Sequence, residues 1–169
     1  MRIQPAIKAA VSFGAGIFIT FSQSHSPEVG LYTLAVYGLV VGLSSAGLAF
    51  GRRIEGALQE LPMATLATLI GIFALLAAQS ETGQLPAFIA LTATWGLISG
   101  AFGLYQARRF GFKQLLGRDH LLSSIFALLL GALFLGVELD PVSAVGFFGA
   151  YLALDGVHWG ISAASPKGK

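Results

Sequence analysis

The sequence predicts an all-α integral membrane protein, a six-helix bundle built from three helical-hairpin repeats, and three observations carry that reading. Of 169 residues, 55% are hydrophobic and only 11% charged, with mean hydropathy +0.77, whereas an ordinary soluble domain carries about 25% charged residues. So little charge cannot cover a water-facing surface. The apolar residues fall into six blocks of about 17 to 23. Each is long enough to cross a hydrocarbon core of about 30 Å at about 1.5 Å per helical residue, and none shows the polar alternation of a barrel strand. Finally, all ten Lys and Arg stand on alternate connections between these blocks.

The first block is read as a helix from Ala6 to Ser22. Its rival reading is a cleaved signal peptide, since Arg2 and Lys8 precede an apolar stretch of signal-like length. The run ends Phe21-Ser22-Gln23-Ser24 without a small-x-small cleavage site, and it has counterparts further along, so the span is preferred. The next helices are read as Val29 to Phe50, Leu61 to Ala78, Leu85 to Tyr105, His120 to Val137 with Asp119 as N-cap, and Pro141 to Ala163. Pro27, Pro86 and Pro141 stand where the returning helices begin, a position that suits a residue without an N–H.

Charge gives the orientation. Arg2 and Lys8 stand at the start of the first helix, Arg52 and Arg53 follow the second, Arg108, Arg109, Lys113 and Arg118 follow the fourth, and Lys167 and Lys169 follow the sixth. The opposite connections carry Glu28, Glu81, Glu138 and Asp140 and no Lys or Arg. The positive-inside rule therefore places both termini in the cytoplasm of a multi-pass inner (plasma) membrane protein. The basic balance is a topology signal and not a nucleic-acid footprint, so no nucleic acid is expected as a partner.

The hairpins repeat. Gly47-Leu48-Ala49-Phe50-Gly51-Arg52-Arg53 recurs as Gly103-Leu104-Tyr105-Gln106-Ala107-Arg108-Arg109, and Gly16-Ile17-Phe18 recurs as Gly71-Ile72-Phe73. A looser third copy has Gly131, Gly160-Ile161 and the Lys167, Lys169 pair, giving hairpins over approximately 6–53, 61–109 and 119–163 within one transmembrane domain. The returning helices carry glycines four apart: Gly38 with Gly42, Gly47 with Gly51, Gly96 with Gly100 and Gly156 with Gly160. Small residues at that spacing let backbones approach, and packing within the bundle is preferred to a homodimer seam.

Three hairpins of short glycine-rich helices, a returning helix closing on a basic pair, and segments such as Val41-Gly42-Leu43-Ser44-Ser45-Ala46-Gly47 resemble the HdeD-like acid-resistance membrane proteins over roughly residues 7 to 163. The resemblance implies a small inner-membrane protein tied to acid or envelope stress, and brings no catalytic residues with it.

Among groups able to do chemistry, Asp155 is the charged residue furthest from either interface, with His158 one turn nearer the cytoplasm. At about 100° per residue, Tyr151, Asp155, His158 and Ser162 share one face of the last helix, opposite Gly149, Ala153, Gly156 and Gly160, with Ala150, Leu154, Val157 and Ile161 as lipid-compatible flanks. The Asp155 and His158 pair is either a proton-responsive site or a structural polar pair that fixes the helix. Pigment or haem ligation by His158 or His120 is a minor alternative, and no cofactor is otherwise expected. The segment Arg108 to Arg118 interleaves Phe110, Phe112, Leu115 and Leu116 with basic residues, an arrangement for lipid headgroups and topology shared with Arg52 and Arg53.

With no cysteine, thiol chemistry and Cys-ligated metals are excluded, and no zinc-ligand spacing, P-loop or nucleophile elbow occurs. The leading expectation is a non-enzymatic membrane protein acting through lipids, copies of itself or other membrane proteins. The alternatives are a small proton or solute channel or transporter using Asp155 and His158, and an accessory subunit of a larger membrane complex.

Overall fold

The computed structural model describes residues 3–51 and 60–165. Among them are six helices, α1 (Ile3–Phe21), α2 (Pro27–Gly51), α3 (Leu61–Ala78), α4 (Gln84–Phe110), α5 (Leu115–Gly136) and α6 (Pro141–Ala164), and no strand. Arg2, Arg52, Arg53, Lys167 and Lys169 lie outside the described residues. By length and composition α1 to α5 are able to cross a membrane. The 24-residue α6 is long enough but falls outside that group, diluted by Asp155 and His158.

The helix ends follow local chemistry. Pro27 and Pro141 open their helices, while Pro62 and Pro86 sit in first turns, where no intrahelical N–H is missed. Two glycines with positive φ bracket α4: Gly83 (77°) leads in, and Gly111 (88°) turns the chain out, a conformation that costs a side-chain-bearing residue dearly. Asp140 caps α6, accepting from the Val142 and Ser143 amides at 3.0 and 3.1 Å.

The Ser143 hydroxyl, with those amides, holds the Asp140 carboxyl below the usual carboxylate range. A depressed value means that the cap stabilises above the ordinary carboxylate pKa and is lost as pH falls through the lowered one. Asp140→Ala is therefore expected to lower the melting temperature at neutral pH and to converge with the parent protein in strong acid. Melts in one detergent across pH check this, and a constant difference at every pH would contradict it.

Two boundaries differ most from expectation. α4 runs to Phe110, beyond Tyr105, because Gln106 and Ala107 are buried. α5 starts at Leu115, before His120, because Gly117 packs against the Ala107 and Gly111 carbonyls. Asp119 is thus no N-cap: it lies inside α5, and Gln114 occupies the cap position.

The most extensive packing joins α1 to α6, α2 to α3 and α4 to α5. The sequence-defined hairpins pair the helices the other way, α1 with α2, α3 with α4 and α5 with α6, and those neighbours touch less. Each tight crossing is made by glycine. A Cβ on Gly38 would stand 2.6 Å from the Ala67 carbonyl oxygen, one on Gly96 2.6 Å from that of Ala127, and one on Gly16 2.6 Å from the Ala153 nitrogen. Gly42, Gly100 and Gly156 likewise abut the backbone nitrogens of Thr68, Leu128 and Phe13. Gly47 and Gly51 differ from these: among the described residues nothing lies within 4 Å of a Cβ built on either. A Cβ on Gly160 would meet the Ala9 Cβ of α1 at an ordinary 3.9 Å.

Large apolar side chains face outward, among them Phe21, Leu43, Leu76, Leu129, Leu135 and Ile161, while Ser12, Thr92, Ser124 and Asp155 are buried. That distribution suits a lipid surround, where the interior shelters polar groups. On α6, Leu154, Val157 and Ile161 face outward and Tyr151, Asp155 and Ser162 inward, as the helical periodicity predicts.

Candidate functional site

A cavity of about 470 Å³ lies among the six helices, within the size range of small-molecule sites. Its walls come from every helix: Gln4 and Lys8 of α1, Val41 and Ser45 of α2, Met63 and Ala64 of α3, Ser99 and Phe102 of α4, His120 and Ser123 of α5, Tyr151 and Trp159 of α6, with Glu60 ahead of α3. These are the early residues of α1, α3 and α5 and the later ones of α2, α4 and α6. The cavity therefore lies toward the end of the bundle where Arg108, Arg109, Lys113 and Arg118 are exposed.

An aromatic layer closes the other end. Tyr37 and Trp95 meet edge to face with ring centroids 5.5 Å apart, and Trp95 Nε1 donates to the Tyr151 hydroxyl at 3.3 Å. Beyond them Phe88 packs edge-on against Phe134 and Phe148, with Leu31 and Leu34 filling the remainder of this buried region. Within that region the buried Thr92 hydroxyl has no hydrogen-bond partner among the described residues.

Asp155 stands behind the cavity wall and is fully buried. Its Oδ1 accepts from Ser123 Oγ at 2.8 Å and Trp159 Nε1 at 3.0 Å, and its Oδ2 from Ser12 Oγ at 3.3 Å. The Lys8 ammonium lies 3.9 Å from Oδ2 and 4.4 Å from the centre of the Trp159 ring. Three helices thus converge on one carboxylate, which offsets the cost of holding a charge in the bundle.

The expected Asp155 and His158 pair is not formed. No hydrogen bond joins them; His158 Nε2 lies 2.9 Å from the Asp119 carbonyl oxygen, tying α6 to α5. Ser162 reinforces that tie, donating to Asp119 Oδ2 at 2.6 Å. The i, i+3 spacing put both side chains on one face without deciding which neighbouring helix each would meet. His120 lines the cavity, stacked on Phe110 at 5.5 Å and edge-on to Trp159.

Sequence reasoning missed most of this site. Lys8 counted only as a flanking positive charge, and Ser12, Ser123, Trp159, Trp95 and Glu60 were given no role. One signal was present: Lys8 and Ser12 stand four apart, on one face of α1. Gln106, buried in α4, donates to Glu60 Oε1 at 3.0 Å and so holds that carboxylate at the cavity mouth. Comparison with known proteins finds no matching family model, no matching curated protein and no matching solved structure.

Proposed function

We propose that this chain is a non-enzymatic membrane protein of six spans, with both termini in the cytoplasm, that binds a small solute in its central cavity. The observation that carries the reading is that all six helices contribute to one polar and aromatic chamber. Side chains that merely filled a bundle core would leave no such volume. The chamber opens beside the exposed Arg108, Arg109, Lys113 and Arg118, the side that the positive-inside rule makes cytoplasmic. Those cations, with Phe110 and Phe112 beside them, are suited to lipid headgroups at the rim. The aromatic layer makes this a closed-ended binding chamber and not a continuous pore. Solute transport would require that layer to open.

The three-hairpin reading belongs to the same proposal, with the hairpins arranged around the chamber. Its support is the register of the crossings. Gly16, Gly71 and Gly131 abut the backbone nitrogens of Ala153, Leu39 and Leu97, and Gly156, Gly42 and Gly100 return the contact to Phe13, Thr68 and Leu128. In that register Tyr37, Trp95 and Tyr151 are equivalent; Trp95 and Tyr151 line the chamber and Tyr37 packs edge-on against Trp95, while Val41 and Ser99 stand in the place of Asp155. The acid-stress role implied by the HdeD-like resemblance would fall to Asp155, the one acidic residue of the three.

Because the natural chain has no cysteine, single substitutions give a clean test. An impermeant maleimide is expected to label Ser24→Cys and Thr82→Cys from outside intact cells, and Ser45→Cys, on the chamber wall, only in inverted vesicles. Labelling of Ser24→Cys solely after the cells are opened would overturn the topology. A Ser45→Cys thiol unreactive from both sides would overturn the open chamber.

A further inference from the structure

Resting on the reading of the cavity as a solute site, we infer that its ligand is an organic cation, an amine or quaternary ammonium carrying an apolar group, and that Lys8 is a built-in competitor for the same place. The Lys8 ammonium already shows what the site accepts. It is held 3.9 Å from Asp155 Oδ2 and 4.4 Å above the Trp159 ring, between a carboxylate and an aromatic face. That combination is the usual means of recognising ammonium groups.

The hold on Lys8 is loose. At 3.9 Å no hydrogen bond joins ammonium to carboxylate, whereas Ser123 and Trp159 bind the other carboxylate oxygen at 2.8 and 3.0 Å. Asp155 is thus fixed by neutral donors and does not depend on Lys8 for its position. The Lys8 side chain is 25% exposed, on a flexible stem that reaches the cavity, so it can swing to the mouth and leave Oδ2 facing the chamber.

Among the described residues the formally charged side chains lining this space are Lys8 and Glu60, with Asp155 directly behind Lys8, so the lysine balances only one of the two carboxylates near it. The remaining walls include the rings of Trp95, Trp159, Tyr151, Phe102 and Phe110, which can receive an apolar substituent. A small organic anion would meet the opposite field. Its one attractive partner, Lys8, is already engaged with Asp155.

Benzyltrimethylammonium and its neutral counterpart benzyl alcohol test the inference on the full chain in nanodiscs of zwitterionic phosphatidylcholine, which remove anionic lipid as a rival for the cation. Both tryptophans of the protein line the cavity, so intrinsic fluorescence reports binding directly. The cation is expected to bind at least about tenfold more tightly than the alcohol, and Lys8→Met to widen that preference by about tenfold more. Asp155→Asn should abolish the preference. Should that variant fold poorly, Lys8→Met decides alone, with a melting temperature that rises on adding the cation and not the alcohol. Equal binding of the two probes, in the parent and in Lys8→Met, overturns the cation site while leaving a solute chamber in place. Binding of neither probe, with Ser45→Cys unreactive, overturns the chamber as well.

Discussion

Gly156→Leu is expected to abolish folding, or to destabilise the bundle by at least about 3 kcal/mol, whereas Gly160→Leu and Gly47→Leu cost less than about 1 kcal/mol. The difference is backbone against open space. A Cβ on Gly156 runs into the Phe13 backbone, and neither α1 nor α6 can yield without giving up the Gly16 contact to Ala153 one turn away. On Gly160 the nearest atom is a methyl group at 3.9 Å, and around Gly47 there is none within 4 Å. By the same reasoning Gly96→Leu should resemble Gly156→Leu, since its Cβ meets the Ala127 carbonyl and the Gly131 backbone. Thermal melts of the four variants in one detergent rank them. Equal losses at Gly156 and Gly160 would mean that α1 and α6 do not cross where the structure places them.

Asp155→Leu is expected to be the most damaging change at the site, by about 3 to 5 kcal/mol, because it strands the Lys8 ammonium, leaves the Ser12 and Ser123 hydroxyls without their acceptor and leaves Trp159 only its bond to Ser123 Oγ at 3.3 Å. Asp155→Asn should be milder, as an amide oxygen still accepts from Ser123 and Trp159, while the amide nitrogen in place of Oδ2 removes the charge opposite Lys8 and turns the Ser12 hydroxyl from donor to acceptor. Adding Lys8→Met to Asp155→Leu should recover at least about 1 kcal/mol, the coupling expected of residues in contact. Strict additivity of the two changes would show that the ammonium and carboxylate do not interact. Survival of an acid challenge, read beside the amount of folded protein, separates a further role: full survival with Asn at normal expression would remove Asp155 as a proton-responsive group.

Much of the architecture was legible before any coordinates. Block length and hydropathy gave six helices, with α3 placed at Leu61 and Ala78 and α6 within one residue of its end. Prolines marked the helix starts, and periodicity sorted the faces of α6. Glycine spacing pointed to close packing; a Cβ would run into a neighbouring helix at Gly38, Gly42, Gly96, Gly100 and Gly156, whereas one on Gly160 would make ordinary contact and one on Gly47 or Gly51 would meet nothing within 4 Å among the described residues. Spacing four apart says that a face is smooth, and it does not say that anything presses on it.

What the tertiary structure decided was partnership. Helical periodicity is a property of one helix, so it put Asp155 and His158 on one side of α6 and suggested that they meet. The neighbours are set instead by how α1 and α5 pack against α6, which gives Asp155 to Ser12, Ser123, Trp159 and Lys8 and sends His158 to the Asp119 carbonyl. The helices pair across hairpins for the same reason. Chain connectivity only requires α1 and α2 to be joined at one end, whereas close approach requires small residues facing each other, and those lie between α2 and α3, α4 and α5, and α6 and α1. Composition and period depend on each residue alone or on its own helix and are read from the chain directly; a cavity and an ion pair depend on residues more than a hundred positions apart, and only packing brings them together.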